Sequence, residues 1–192
     1  MNYLLILLII IIIVLLSIKS NFTKIVKNTK KVYKTAYELG INYLKIMKYH
    51  NFYNLEYPAV MFDIDDTLID HSGKPMKDII NLLDVCIDLG LIIIIITARS
   101  VSSEEYTIRE LEKNKIRYNV LYLRHDNDDI NTFKSKTKQY LAEKENMTII
   151  MSVGDNLIDV DGNYSGYFIK LPNQTDSRLY HLNSDKKLEI VQ

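Results

Sequence analysis

Asp63-Ile64-Asp65-Asp66-Thr67 sets three acids and a hydroxyl within five residues. Farther along come Thr97 with Arg99 two residues on, Arg124, Lys134, and Gly154-Asp155-Asn156 with Asp159 one turn later. None of these is telling alone. An Asp-x-Asp pair is common on surfaces, and Lys134 sits in a charged stretch. Brought together, carboxylates repel and coexist only with a cation or a proton. A hard divalent ion with oxygen ligands meets that need, and Mg2+ is the expected one. Zinc is not expected, since the chain has a single cysteine, Cys86, and no paired histidines at ligand spacing. The lone cysteine also excludes an intramolecular disulfide framework.

The intervening chain predicts how these groups meet. Ala59–Phe62 is a short apolar run that ends in acid, and Met76–Leu89 has helical spacing with Gly90 placed to end it. Leu91–Ile96 is six consecutive aliphatics, the pattern of a strand buried on both faces. A helix over 102–115, a strand over 119–123, a helix over 132–145, a strand over 148–153 and a last strand over 166–171 follow. This alternation predicts an α/β fold with a parallel sheet and right-handed crossovers. In such sheets, sites form beyond the carboxyl ends of the strands. That is where Asp63, Thr97, Arg124 and Asp155 fall.

Composition supports a folded domain: 47% of residues are hydrophobic, with only 6 Gly and 3 Pro. Lys plus Arg and Asp plus Glu both number 24, so neither a strongly basic nucleic-acid binder nor an acidic disordered tail is expected. The average hides a split. Tyr3–Ile18 is apolar apart from one Ser and one Tyr hydroxyl. Sixteen helical residues rise ~24 Å, slightly short of a ~30 Å hydrocarbon core, and Lys19 can snorkel. No basic residue precedes the run and no small-x-small site follows it, which favours a retained N-terminal transmembrane helix (1–18) over a cleaved signal. Six lysines from Lys19 to Lys34 then place the C-terminal bulk in the cytosol, against four glycosylation sequons at Asn21, Asn146, Asn163 and Asn173. Residues 19–58 read as a basic helical stalk, with an apolar stripe through Ile25, Val32, Ala36, Leu39, Tyr43 and Ile46 that packs on the domain at 59–192.

The order Asp63-x-Asp65-x-Thr67, Thr97, Lys134, Gly154-Asp155-x-x-x-Asp159 resembles the four motifs of the haloacid dehalogenase (HAD) superfamily of phosphotransferases and phosphatases. The segments 133–138, 154–159 and 168–173 are similar to the class-B acid phosphatase and plant vegetative storage protein branch. Lys138 stands where that branch usually has Arg, and Gln174 where a second Pro is frequent. Residues 121–129 resemble the phosphatase domain of polynucleotide kinases.

The resemblance implies a Rossmann-like HAD fold and a Mg2+-dependent phosphomonoesterase. Asp63 is then the nucleophile that forms an aspartyl-phosphate, and Asp65 the general acid and base. Thr97 and Lys134 bind the phosphoryl group, and Asp63, Asp65 (through its carbonyl), Asp155 and Asp159 serve the metal. Arg99 is a substrate-binding candidate, with a surface salt bridge the competing reading. Asp66 and Thr67 are read as structural. Arg124, His125 and His71 are weaker substrate candidates, and Cys86 is read as buried and inert. Only 29 residues separate Thr67 from Thr97 and 36 separate Thr97 from Lys134, too few for a cap domain. The alternatives are a catalytically weak phosphate-binding scaffold and a polynucleotide-end phosphatase.

Overall fold

The structure is a computed structural model that describes residues 3–182 and 188–191, with side chains described for 11–21, 31–182 and 189–191. It comprises two compact units, residues 1–35 and 36–192. Helix α1 (Tyr3–Tyr49) begins in the first and ends in the second. In the first unit Ile11–Leu16 and Ile18 are exposed. No helix among the described residues is long and apolar enough to cross a membrane, so the expected transmembrane helix is not found there. The described part of the run is short: Ile11–Ile18 is eight residues, a rise of ~12 Å. The first eight residues of that run, 3–10, have side chains outside the described set.

In the second unit the end of α1 is packed. Ala36 and Leu44 are buried. A Cβ at Gly40 would stand 2.6 Å from Leu82 Cδ2 on α2 (Lys77–Asp88), a closer approach than a larger residue permits without moving Leu82. Tyr43 stacks on Tyr167 at 4.3 Å. The buried line therefore runs Ala36–Gly40–Leu44, and Ile46 of the expected stripe is exposed. The small residues at 36 and 40 let the helix seat on that side.

Five parallel strands follow: β1 (Pro58–Phe62), β2 (Ile92–Ser100), β3 (Val120–Arg124), β4 (Thr148–Gly154) and β5 (Tyr167–Lys170). Two antiparallel strands, β6 (Leu179–Leu182) and β7 (Leu188–Val191), extend the sheet beyond β5. The spatial order is β3-β2-β1-β4-β5-β6-β7. Helices α3 (Glu104–Lys113) and α4 (Phe133–Lys144) lie in the crossovers, and the short α5 (Leu157–Val160) follows β4. Neither crossover carries an inserted domain, which leaves the carboxyl ends of the strands uncapped by one.

Ile93, Ile94, Ile95 and Ile96 are all fully buried, each contributing roughly 1.5–3 kcal/mol. On one face, Ala59, Met61, Ile94, Ile96 and Ile149 pack with Phe133 and Leu141 of α4. Strand order reverses direction between β1 and β4, the switch point where an α/β sheet opens a crevice. Cys86 lies buried on α2, and its burial pushes the thiol upward, away from a reactive thiolate.

Candidate active site

Asp63 follows β1 directly, and its N–H donates to Val153 O at 3.0 Å, tying it to the end of β4. The chain then turns tightly. Ile64 O accepts from the N–H groups of Thr67, Leu68 and Ile69, and Asp66 takes a left-handed conformation (φ 51°). Asp66 Oδ1 accepts from His71 N at 3.1 Å, so Asp66 is a loop residue, as its sequence reading has it. Thr67 Oγ1 is buried without a hydrogen-bond partner among the described residues.

Lys134, the second residue of α4, closes the centre. Its Nζ donates to Asp63 Oδ1 and to Asp159 Oδ1, both at 2.6 Å. Asp155, one residue beyond β4, completes the group. Asp63, Asp155 and Asp159 each offer a carboxylate oxygen, all within 4.8 Å of one another, and all three residues are buried. Three carboxylates against one ammonium leave two negative charges. A divalent cation would balance them, and the all-oxygen donor set suits a hard one.

Electrostatics agree with this. Burial, reinforced by the charges of Asp159 and Asp155, outweighs Lys134 and pushes Asp63 up to about 7. Burial and the Asp159 charge push Asp155 up to about 6. Burial opposes the Lys134 charge, yet Asp63 and Asp159 hold its ammonium above its ordinary value. Such strain is relieved by a bound cation.

Gly154 is demanded by this packing. A Cβ there would lie 2.3 Å from Asp159 Cβ, with no flexible tip to yield. Gly154→Ala is expected to cost about 1–3 kcal/mol and to push Asp159 off Lys134. Thermal denaturation and a metal titration on the same protein check both parts.

Other predicted residues lie around this centre. Phe62 pairs with Ile95, so Thr97 stands two residues farther, level with Ile64. Thr97 is fully buried, and its Oγ1 accepts from Arg99 N at 3.2 Å. The β2–β3 register slips between Thr97 and Ser100, which re-aims the chain at Arg99. The Arg99 guanidinium grips Asp65, with Nη2 to Oδ1 at 2.6 Å and Nε to Oδ2 at 3.0 Å, and reaches Glu110 Oε2 at 2.7 Å. Burial works against the Arg99 charge, but the two carboxylates outweigh it. The Asp65 side chain is thus exposed and held by Arg99, outside the three-carboxylate group.

Arg124 donates to the carbonyls of Ala98, His125 and Asp128, which makes it a backbone staple. The His71 side chain is exposed, with Asp66 at 3.8 Å.

Lys138 has more weight here than sequence reading assigns it. Its Nζ donates to Asp159 O at 3.0 Å, Asp161 O at 2.8 Å and Ser165 Oγ at 2.6 Å, using all three ammonium donors. Burial pulls it down to about 8. The available signal is position: Phe133, Lys134, Lys138 and Leu141 are the buried residues of α4, so two lysines occupy core positions of the helix.

Residues 71–177 match the family described as HAD superfamily, subfamily IIIB (acid phosphatase). The match begins after the Asp63–Thr67 segment, which joins the site through geometry. Two structures of the class C acid phosphatase from Bacillus anthracis are similar in fold. One has a TM-score of 0.59 at 20% identity, and the other, with tungstate bound, 0.60 at 19%; each comparison covers 78% of this chain and 80% of that one. A chain of the Pnkp1/Rnl/Hen1 complex is similar at a TM-score of 0.52 and 20% identity, over 62% of this chain and 47% of that one. No curated protein sequence matches. With more than half of its length matched to that one family and its phosphatase motifs gathered at the strand ends, the chain belongs to subfamily IIIB of the HAD superfamily, the acid phosphatases.

Proposed function

We propose that the protein is a Mg2+-dependent phosphomonoesterase working through an aspartyl-phosphate on Asp63. The observation that carries this reading is the buried Asp63–Lys134–Asp159 link with Asp155 beside it. Asp63 attacks phosphorus, so an Asp63–phosphorus bond forms as the ester oxygen leaves. Asp65 gives that oxygen its proton, then takes one from the water that attacks the phosphorylated Asp63 and releases phosphate. Arg99 must loosen its grip on Asp65 for this, and a phosphoryl group offers the guanidinium an alternative bidentate partner. The Thr97 hydroxyl donates to a phosphoryl oxygen, and Lys134 compensates charge on the phosphoryl group and Asp63. Mg2+, held by Asp63, Asp155 and Asp159, would supply further compensation of phosphoryl charge.

The test is a panel of an aryl phosphate, a nucleoside monophosphate and a phosphate-ended oligonucleotide, assayed with Mg2+ and with chelator. Turnover that needs Mg2+ supports the proposal, and absence of turnover on all three sinks it.

Protonation gives a further expectation. Asp63 and Asp155 must ionise to hold the cation, so protons compete with Mg2+ below about 7 and about 6 respectively. Mg2+ affinity measured by calorimetry should be level above pH 7.5. It should fall up to about tenfold per pH unit below 7, and more steeply below 6. Without the ion the sign reverses. Both carboxyls sit above the ordinary carboxylate value of 3.8, so the folded state holds protons that the unfolded chain has lost. Their contribution is fully present below about pH 4 and is lost as pH rises through about 7. Unchanged Mg2+ affinity from pH 5.5 to 7.5 would contradict this account.

A further inference from the structure

We infer that Asn173 is a positioning residue for Asp155 and Asp159, acting partly through Asn156. The inference rests on the proposal that these two acids hold a divalent cation. Asn173 lies in the loop after β5. Its Nδ2 donates to the Asp155 carbonyl at 2.8 Å and to Asn156 Oδ1 at 3.1 Å. Its Oδ1 accepts from Thr175 N, Thr175 Oγ1 and Asp176 N at 3.0, 2.9 and 2.7 Å. One carboxamide thus ties the loop to the end of β4.

The link continues into the site. With Asn156 Oδ1 taken by Asn173, the Asn156 Nδ2 faces Asp155 Oδ1 and donates to it at 3.0 Å. The Asn156 N–H donates to Asp159 Oδ2 at 2.8 Å. The Asn156 carboxamide, which Asn173 holds, therefore fixes one oxygen of Asp155 and accepts from the Asp159 N–H in a capping box, whereas the bond to Asp159 Oδ2 comes from the Asn156 backbone. Two donors and an acceptor are required on a short side chain; ionised Asp has no donor and Ser only one. Asn173-Gln174-Thr175 is also a glycosylation triplet in sequence. In the folded chain its Nδ2 makes the two bonds above and its Oδ1 closes a turn with Thr175 and Asp176.

Mg2+ binding by the intact chain tests the inference, measured by calorimetry beside the melting temperature without Mg2+. Asn173→Ala should weaken Mg2+ by roughly 10- to 100-fold, as loss of groups that orient metal ligands does. Asn156→Ala should act similarly, and it tests the same link should Asn173→Ala not fold. The double variant should be no worse than the weaker-binding single, because the two residues act in series. Thr175→Ala removes only a bond on the loop side and should leave Mg2+ affinity within about twofold. Wild-type affinity in Asn173→Ala overturns the inference, as does equal weakening in Thr175→Ala or additivity in the double variant. Failure of the unmodified chain to bind Mg2+ overturns the proposed function, and this inference with it.

Discussion

Asp63→Asn should lose at least about 10^4-fold in turnover while remaining folded. The amide is nearly the same size as the carboxylate and can still accept from Lys134 Nζ. It cannot attack phosphorus, so no acyl phosphate forms. The stability change should run opposite to the activity change. Asp63 is buried beside two other acids, and its raised value means that its charge is costly at neutral pH. A neutral amide removes that cost, a gain on the order of a few kcal/mol above pH 7 that vanishes near pH 4. Denaturation at pH 7.5 without Mg2+ should therefore show the Asp63→Asn protein equal to or better than wild type. Full turnover in this variant would remove Asp63 from the mechanism altogether.

Lys134→Met should fail in both respects. Two bonds of 2.6 Å disappear, and Asp63 and Asp159 are left facing each other around an uncharged side chain. Breaking a buried ion pair from one side typically costs about 3–5 kcal/mol, and that much is expected in metal-free protein at pH 7.5. The loss should shrink at low pH, where Asp63 is protonated, and in high Mg2+, which restores positive charge. Turnover should fall by at least about 10^2-fold, because phosphoryl charge loses a fixed partner. Urea denaturation at pH 5 and 7.5, with and without Mg2+, separates this pattern from a packing defect, which would be insensitive to both conditions.

The opposite stability signs expected for these two substitutions reflect what sequence can reveal about the site. Asp63, Thr97 and Asp155 are legible because each follows an unmistakable apolar run near the carboxyl end of a strand, and those ends in a parallel sheet meet at one edge; that β2 continues past Thr97 to Ser100 is not legible. Lys134 is legible through motif order. The Arg99 grip on Asp65 is not legible, because it depends on a register slip between Thr97 and Ser100 that no residue pattern announces. Asn173 reads as a sequon and as the end of a family-like segment, but its tie to the site is not legible, since its partners at 155 and 156 are distant in the chain. Strands β6 and β7 escape sequence reading because four-residue segments with mixed polarity carry no clear period. The N-terminal run is legible as apolar, and its described residues Ile11–Leu16 and Ile18 are exposed on α1.

The strand order also governs how the protein comes into being. Synthesis delivers β1, β2 and β3 first, and β1 meets its other neighbour only when residues from Thr148 onward emerge. Until then one flank of β1 is an open row of amides and carbonyls beside the isoleucine-rich β2. Such a flank invites pairing with other nascent chains. Asp155 and Asp159 arrive on the same late segment, so the three-carboxylate group and protection from self-association are completed by a single event, the docking of β4.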